Sequence, residues 1–166
     1  MHKNLPAITR SARTRLALRI LGAILVLFVG VDHYYQYSVD DYSVLPTIGT
    51  LFLLNFISAT AIGLILLAPL DRIFHRLGRT VLQLAALSGF GIAATSLVAL
   101  LVSEHTKLFG FMESNYRPAI IIAIASEAAA AVVLLLAFVA SFGAKRSASK
   151  PRGPLADRVQ PCPETP

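Results

Sequence analysis

One acidic side chain lies in the middle of the fourth apolar stretch of the sequence. Between Ile120 and Phe138 the only ionisable residue is Glu127. A helix that begins at Pro118 and rises about 1.5 Å per residue places this carboxyl group roughly 13–14 Å along its axis, near the middle of a ~30 Å hydrocarbon core. An acid at that depth can carry a proton, bind an ion or act as the counter-ion of a substrate. The alternative is a protonated carboxyl group that only hydrogen-bonds a neighbouring helix.

Asn55 is the polar residue that best matches Glu127 in depth. It follows Pro46 by the same number of residues as Glu127 follows Pro118. If both helices begin at the outer surface, the two side chains lie at similar depth, and we expect them to be hydrogen-bonding partners. Burial favours the neutral form of a carboxyl group, and no Lys or Arg lies near the middle of any apolar stretch. We therefore expect Glu127 to hold its proton at rest.

Asp32 and His33 form a second polar feature near the end of the first apolar stretch. Gly30 and Gly22 lie on the helical stripe that leads to His33. Small residues on a transmembrane helix let another helix approach closely, so His33 is expected to face a neighbouring helix. We predict an intramembrane polar site in the outer half of the membrane, formed by Asp32, His33, Asn55 and Glu127.

Imidazole and carboxylate groups also raise the possibility of a metal site. His33, His105 and Glu104 could meet on the outer side and bind zinc or another divalent cation. These residues are dispersed, and the sequence has no paired-ligand spacing such as HExxH or CxxC. We therefore favour a protein without a metal, and we predict no cofactor. Haem ligation by two histidines on different helices is favoured even less.

Signatures of the common enzyme classes are missing from the sequence. It has no GxSxG motif, no HExxH motif and no nucleotide-binding glycine loop. Cys162 is the only cysteine, which excludes intramolecular dithiol exchange. These observations favour a protein that is not an enzyme, although they leave the question open.

The elements that must position these residues are four apolar stretches, which we expect to be helices over residues 16–36, 46–68, 80–102 and 118–142. The chain has 166 residues, of which 55% are hydrophobic and 14% charged, and its mean hydropathy is +0.67. This composition is too apolar for an ordinary soluble domain. The sequence predicts an all-α membrane protein, a bundle of four transmembrane helices within residues 15–142.

The basic residues lie in three blocks that flank the apolar stretches. The loops on the other side carry only Lys107 and Arg117. By the positive-inside rule, both termini are cytoplasmic, with a basic arm at residues 1–14 and a disordered tail at 143–166. The net charge of +6 then suits membrane lipid rather than nucleic acid. The three blocks are Lys3, Arg10, Arg13, Arg15 and Arg19; Arg72, Arg76 and Arg79; and Lys145, Arg146, Lys150, Arg152 and Arg158.

Small residues repeat along the third and fourth stretches. Ala85, Gly89 and Ala93 recur every four residues, and the fourth stretch contains the alanine run 128–131. Such faces allow close helix packing, within one chain or between chains. They therefore indicate a possible homo-oligomer or an association with other membrane protein subunits.

The stretch from Asp32 to Ala59 contains His33, several tyrosines and the runs Leu45–Gly49 and Leu51–Asn55. This pattern resembles uncharacterised bacterial four-helix integral membrane proteins, and in outline it is similar to the DoxX-like group. The resemblance implies the four-helix architecture and a bacterial inner membrane. It implies no particular activity.

Three functions are compatible with these features. The favoured hypothesis is a non-enzymatic membrane component, such as a subunit, an assembly partner or a sensor. The alternative is a small proton-coupled transporter that uses Glu127. A membrane enzyme that acts on a lipid or a quinone is the third.

Overall fold

The computed structural model of the protein describes residues 7–110, 112 and 118–148, and nearly all of these residues are helical. A short 3-10 turn, Tyr42–Val44, connects the first two long helices. The α-helices are α1, Ala7–Ser38; α2, Pro46–Leu67; α3, Leu70–Ile73; α4, His75–Ser103; and α5, Pro118–Ala148.

Four helical segments are long and apolar enough to cross a membrane: Ala12–Ser38, Pro46–Leu67, Arg76–Ser103 and Pro118–Phe142. Each is longer than the ~20 residues that a hydrocarbon core requires. For the described residues, the prediction of an α-helical fold with four candidate membrane spans is confirmed.

The helices at both ends of the described chain are longer than we expected. α1 begins at Ala7, so residues 7–14 of the expected arm form its first turns. These residues include no Pro or Gly, and nothing in them interrupts a helix. α5 continues to Ala148, and α4 begins at His75. Residues 1–6 of the arm and residues 149–166 of the tail lie outside the described part of the chain.

The outer surface of the four long helices is apolar. Large side chains such as Ile24, Leu64, Val98 and Ile121 are more than half exposed on the four helices in turn. In water such a surface would promote aggregation, whereas lipid tails are the medium that it suits. The surface chemistry therefore agrees with the apolarity of the four spans.

The core is built from small residues. Ala23, Ala59, Ala93 and Ala130, one from each long helix, are completely buried. Small side chains let helix backbones approach closely, and dispersion contacts then replace the missing hydrophobic driving force within lipid. The small-residue faces predicted on the third and fourth stretches thus pack inside this chain.

α1 is the helix with the most extensive packing, against both α2 and α5. α4 packs against α5 and, less extensively, against α2. A Cβ atom added to Gly78 would collide with the carbonyl oxygen of Leu70, so this glycine permits the tight turn between α3 and α4. The two ends of the structure differ in charge. We call the end that carries Arg15, Arg19 and Arg76 the basic end, and the other the opposite end.

Candidate functional site

Four polar side chains, one from each long helix, meet in the half of the structure nearer the opposite end. They are His33 from α1, Asn55 from α2, Ser96 from α4 and Glu127 from α5, and we call them the polar cluster. His33 is 5% exposed and Glu127 only 1%. The cluster therefore lies within the packed helices rather than on their lipid-facing surface.

The ring of His33 is oriented by its own helix. Its Nδ1 lies 2.9 Å from the carbonyl oxygen of Val29, one helical turn earlier. A carbonyl oxygen can only accept a hydrogen bond, so Nδ1 carries a hydrogen and donates it. The ring of Phe52, 5.0 Å away between centroids, packs beside the imidazole. These contacts leave Nε2 as the nitrogen that faces the other members of the cluster.

His33 Nε2 is the centre of the cluster. It lies 3.0 Å from Ser96 Oγ, 3.2 Å from Asn55 Nδ2 and 3.5 Å from Glu127 Oε1. Asn55 Nδ2 also donates to Ser96 Oγ over 3.2 Å. Because an amide nitrogen only donates, its contact with Nε2 requires a lone pair on the imidazole. The geometry thus corresponds to a neutral His33 whose Nε2 accepts hydrogen bonds.

A neutral His33 whose Nε2 accepts hydrogen bonds requires a proton on the group that faces it, the carboxyl group of Glu127. If His33 Nε2 and Glu127 Oε1 both presented lone pairs at 3.5 Å, they would repel each other in a buried site. Since His33 Nε2 presents its lone pair, the proton lies on the carboxyl group of Glu127. Ser96 Oγ lies 3.0 Å from His33 Nε2 and is also near Glu127, so its hydroxyl group can rotate to donate to either partner. The cluster is equipped to hold and release one proton.

Two buried oxygen atoms of the cluster lack hydrogen-bond partners among the described residues. They are Asn55 Oδ1 and Glu127 Oε2. A buried acceptor without a donor typically costs about 1–3 kcal/mol. The cost is removed when a bound molecule supplies donors, so these two atoms indicate where a ligand would be held.

The cluster forms part of the wall of a cavity of about 430 Å³. Most of the remaining wall is apolar and comes from α2 and α4. These two helices pack against each other less extensively than α4 packs against α5. Gly91 lines the cavity, and a Cβ atom added there would meet nothing within 4 Å. Tyr42 and Phe52 stack at 4.9 Å and also line it. This combination suits a small molecule that is mainly apolar and carries one polar group.

Asp32 was predicted to belong to the polar site, but it has a different partner. Gln36 Nε2 donates to Asp32 Oδ2 over 2.8 Å. Asp32 is half-buried. Of these two residues, Gln36 lines the cavity. The structure therefore brings His33, Asn55 and Glu127 together and leaves Asp32 beside them.

The metal-site candidates do not form one site. His105 is exposed, and its Nδ1 donates to the carbonyl oxygen of Leu101 over 3.0 Å. Glu104, at the end of α4, is half-buried. Within the described ranges, no three His, Cys, Asp or Glu side chains lie close enough together to hold a metal ion. His33 is paired with Glu127 instead.

Ser96 is the member of the cluster that the sequence-based prediction missed. It lies three residues after Ala93, on the face that also carries Ala85 and Gly89. A hydroxyl group on a packed transmembrane face must find a partner, which is the signal that could have identified it.

Known proteins provide no further guide to this site. No protein family, no curated protein and no solved structure matches the chain. The resemblance to four-helix bacterial membrane proteins therefore stays an expectation.

Proposed function

We propose that the protein is a small proton-coupled transporter that binds an apolar amine in the cavity and exchanges it for the proton of the polar cluster. The observation that carries this proposal is the contact between His33 and Glu127 in the wall of a mainly apolar cavity. Ionisable residues at membrane depth most often serve proton or substrate pathways.

The chemistry of the cavity wall favours an ammonium group as the polar part of the ligand. Asn55 Oδ1 and Glu127 Oε2 are both acceptors without donors, and an ammonium group supplies up to three donors. Among the described residues that line the cavity, none is Lys or Arg. The stacked rings of Tyr42 and Phe52 add a surface that attracts cations. A quinone or another carbonyl compound offers acceptors only and leaves both oxygens without donors.

The exchange step balances in charge. The cluster at rest holds one proton on the carboxyl group of Glu127. When R–NH₃⁺ binds, Glu127 becomes a carboxylate that pairs with the ammonium group, and one proton leaves the site. Asn55 Oδ1 accepts a second N–H bond, and Ser96 turns its hydroxyl group toward the carboxylate. A carboxylate without this cation would cost several kcal/mol in a buried site, so release of the proton is coupled to arrival of the amine.

The positive-inside rule supports an orientation for this transporter. The described arginines Arg15, Arg19, Arg76 and Arg79 lie at the basic end, which we therefore assign to the cytoplasm of a bacterial inner membrane, with both termini on that side. The cavity then opens on the outer side, near Tyr42, Ser103 and Leu108. Opening toward the cytoplasm would require α2 and α4 to separate where Ile62 packs against Gly89.

The proposal is tested by titrating the detergent-purified protein with 4-phenylbutylamine in an isothermal calorimeter, in buffers of different ionisation enthalpy. We expect one proton to be released for each amine bound. The matched probes are 4-phenyl-1-butanol, which has no charge, and the N,N,N-trimethyl derivative, which has no N–H donor. Both should bind at least about tenfold more weakly. Equal binding of the alcohol, or amine binding without proton release, would contradict the proposal.

The hypothesis of a non-enzymatic membrane component has less support from the geometry. The favoured sequence-based hypothesis of a subunit, assembly partner or sensor relied on small-residue faces. Ala85, Gly89 and Ala93 are buried within this chain, so internal packing accounts for them. A purely structural role predicts that no amine binds and that Glu127 matters for stability alone.

A further inference from the structure

A second cavity lies at the basic end, between α1, α4 and α5, and has a volume of about 670 Å³. It does not share a lining residue with the cavity of the polar cluster. Four arginines contribute to its wall, and Asp71 is the one acidic residue among the described residues that line it. The four are Arg15, Arg19, Arg76 and Arg79.

Arg19 and Asp71 form an ion pair in the wall of this cavity. Arg19 Nη1 lies 3.0 Å from Asp71 Oδ1. Partial burial by itself would raise the pKa of Asp71, but the hydrogen bond and the charge of Arg19 lower it below its ordinary value. Asp71 is therefore ionised at neutral pH. Since one carboxylate faces the guanidinium groups of Arg19, Arg76 and Arg79, the cavity retains an excess of positive charge without counting Arg15.

Arg19 has donor capacity left over after this contact. Its side chain is only 18% exposed, and its buried Nε has no hydrogen-bond partner among the described residues. Arg76 and Arg79 lie in the first turns of α4, where the positive end of the helix dipole also favours an anion. Planar guanidinium groups bind phosphate through paired N–H donors.

The rest of the wall is mainly apolar. Leu16, Leu66 and Leu82 line it beside alanines. Two of its polar side chains already bond each other, because Gln83 Nε2 donates to Ser141 Oγ over 2.9 Å. A wall that combines guanidinium groups with leucine and alanine side chains matches a molecule with an anionic head and a hydrocarbon chain. A free anion would leave the apolar part of the cavity unused.

We propose that this cavity binds an anionic phospholipid, with the headgroup phosphate held by Arg19, Arg76 and Arg79 and an acyl chain along the leucines. The excess of positive charge selects a lipid with a net negative headgroup over a zwitterionic one, whose ammonium group would lie among the arginines. The proposal is independent of the amine transport proposed above, because it involves a different cavity.

Native mass spectrometry of the full-length protein, delipidated in a neutral detergent, tests the proposal. The probes are dioctanoyl phosphatidylglycerol, dioctanoyl phosphatidylcholine and inorganic phosphate. We expect one saturable phosphatidylglycerol site, with phosphatidylcholine bound at least about tenfold more weakly and phosphate unable to compete. Equal affinity for the two lipids would overturn the selection by charge. Competition by phosphate at the lipid's own concentration would identify a free-anion site and overturn the lipid proposal.

The double variant Arg76→Gln/Arg79→Gln removes two exposed side chains of the cavity. The matched control is Arg13→Gln/Arg72→Gln, which loses the same charge from residues outside the cavity lining. We expect the first variant to weaken phosphatidylglycerol binding by about tenfold to thirtyfold and the control by less than about threefold. Equal losses in both variants would show that only the general surface charge attracts the lipid, and the site would be rejected.

Discussion

Glu127→Gln separates proton exchange from packing, because glutamine preserves the shape of the protonated acid. In the resting cluster the carboxyl group faces His33 Nε2 at 3.5 Å and lies near the hydroxyl group of Ser96. A glutamine amide can donate to the same imidazole and contact the same hydroxyl group, but it cannot exchange a proton. We expect the free energy of unfolding to change by less than about 1 kcal/mol and amine-linked proton release to disappear.

The change in the free energy of unfolding can also be worked out from the contacts for Glu127→Leu. It removes the interactions with His33 and Ser96, and interhelical hydrogen bonds in membranes average about 0.6 kcal/mol, with a maximum near 1.7. It also removes Oε2, a buried acceptor without a partner, whose presence costs about 1–3 kcal/mol. The two effects oppose each other. His33 Nε2 keeps its contacts with Ser96 and Asn55, so we expect a net change within about 2 kcal/mol of zero.

Both variants can be measured by unfolding in mixed micelles of increasing dodecyl sulfate content, followed by helical circular dichroism. Proton release is read by calorimetry with 4-phenylbutylamine. If Glu127→Leu lowers the stability by more than about 4 kcal/mol, the acid is a packing element and our account of its unpartnered oxygen is wrong. If Glu127→Gln still releases a proton on amine binding, the proton comes from another group.

Two further predictions concern the cavity and the basic end. Gly91→Leu should fill the open space beside this glycine and weaken 4-phenylbutylamine binding by about tenfold or more, whereas Gly91→Ala should bind as the wild type does. Because the pKa of Asp71 is lowered by Arg19, their contact adds stability that is present at neutral pH and lost as the pH falls through about 4 and below. Asp71 is 42% exposed, so the loss of stability between pH 6 and pH 3 should be under about 1 kcal/mol in wild-type melting curves. The loss should be smaller still in Asp71→Asn. An equal pH dependence in both proteins would contradict a stabilising contact between Arg19 and Asp71.

The common level of Asn55 and Glu127 along the helices could be predicted from the sequence, because it depends only on the helix rise. Pro46 and Pro118 begin α2 and α5, and equal counts from them place Asn55 and Glu127 at similar levels. In the structure both residues contact His33 Nε2. Direct pairing of Asn55 with Glu127 was expected, but the imidazole and Ser96 lie at the centre instead.

Apolar length and charge distribution were enough to determine the number of helices long enough to span a membrane, because both are properties of the chain read in order. The sequence did not determine which of Asp32 and His33 faces the cluster. Neighbouring residues on a helix point about 100° apart, so only one of them can face a given partner. The packing of α1 against α2 and α5 turned His33 toward the cluster and left Asp32 with Gln36. The cavity likewise depends on α1, α2, α4 and α5 together, because each contributes to its wall, and that is a relation between helices that no single stretch of sequence contains.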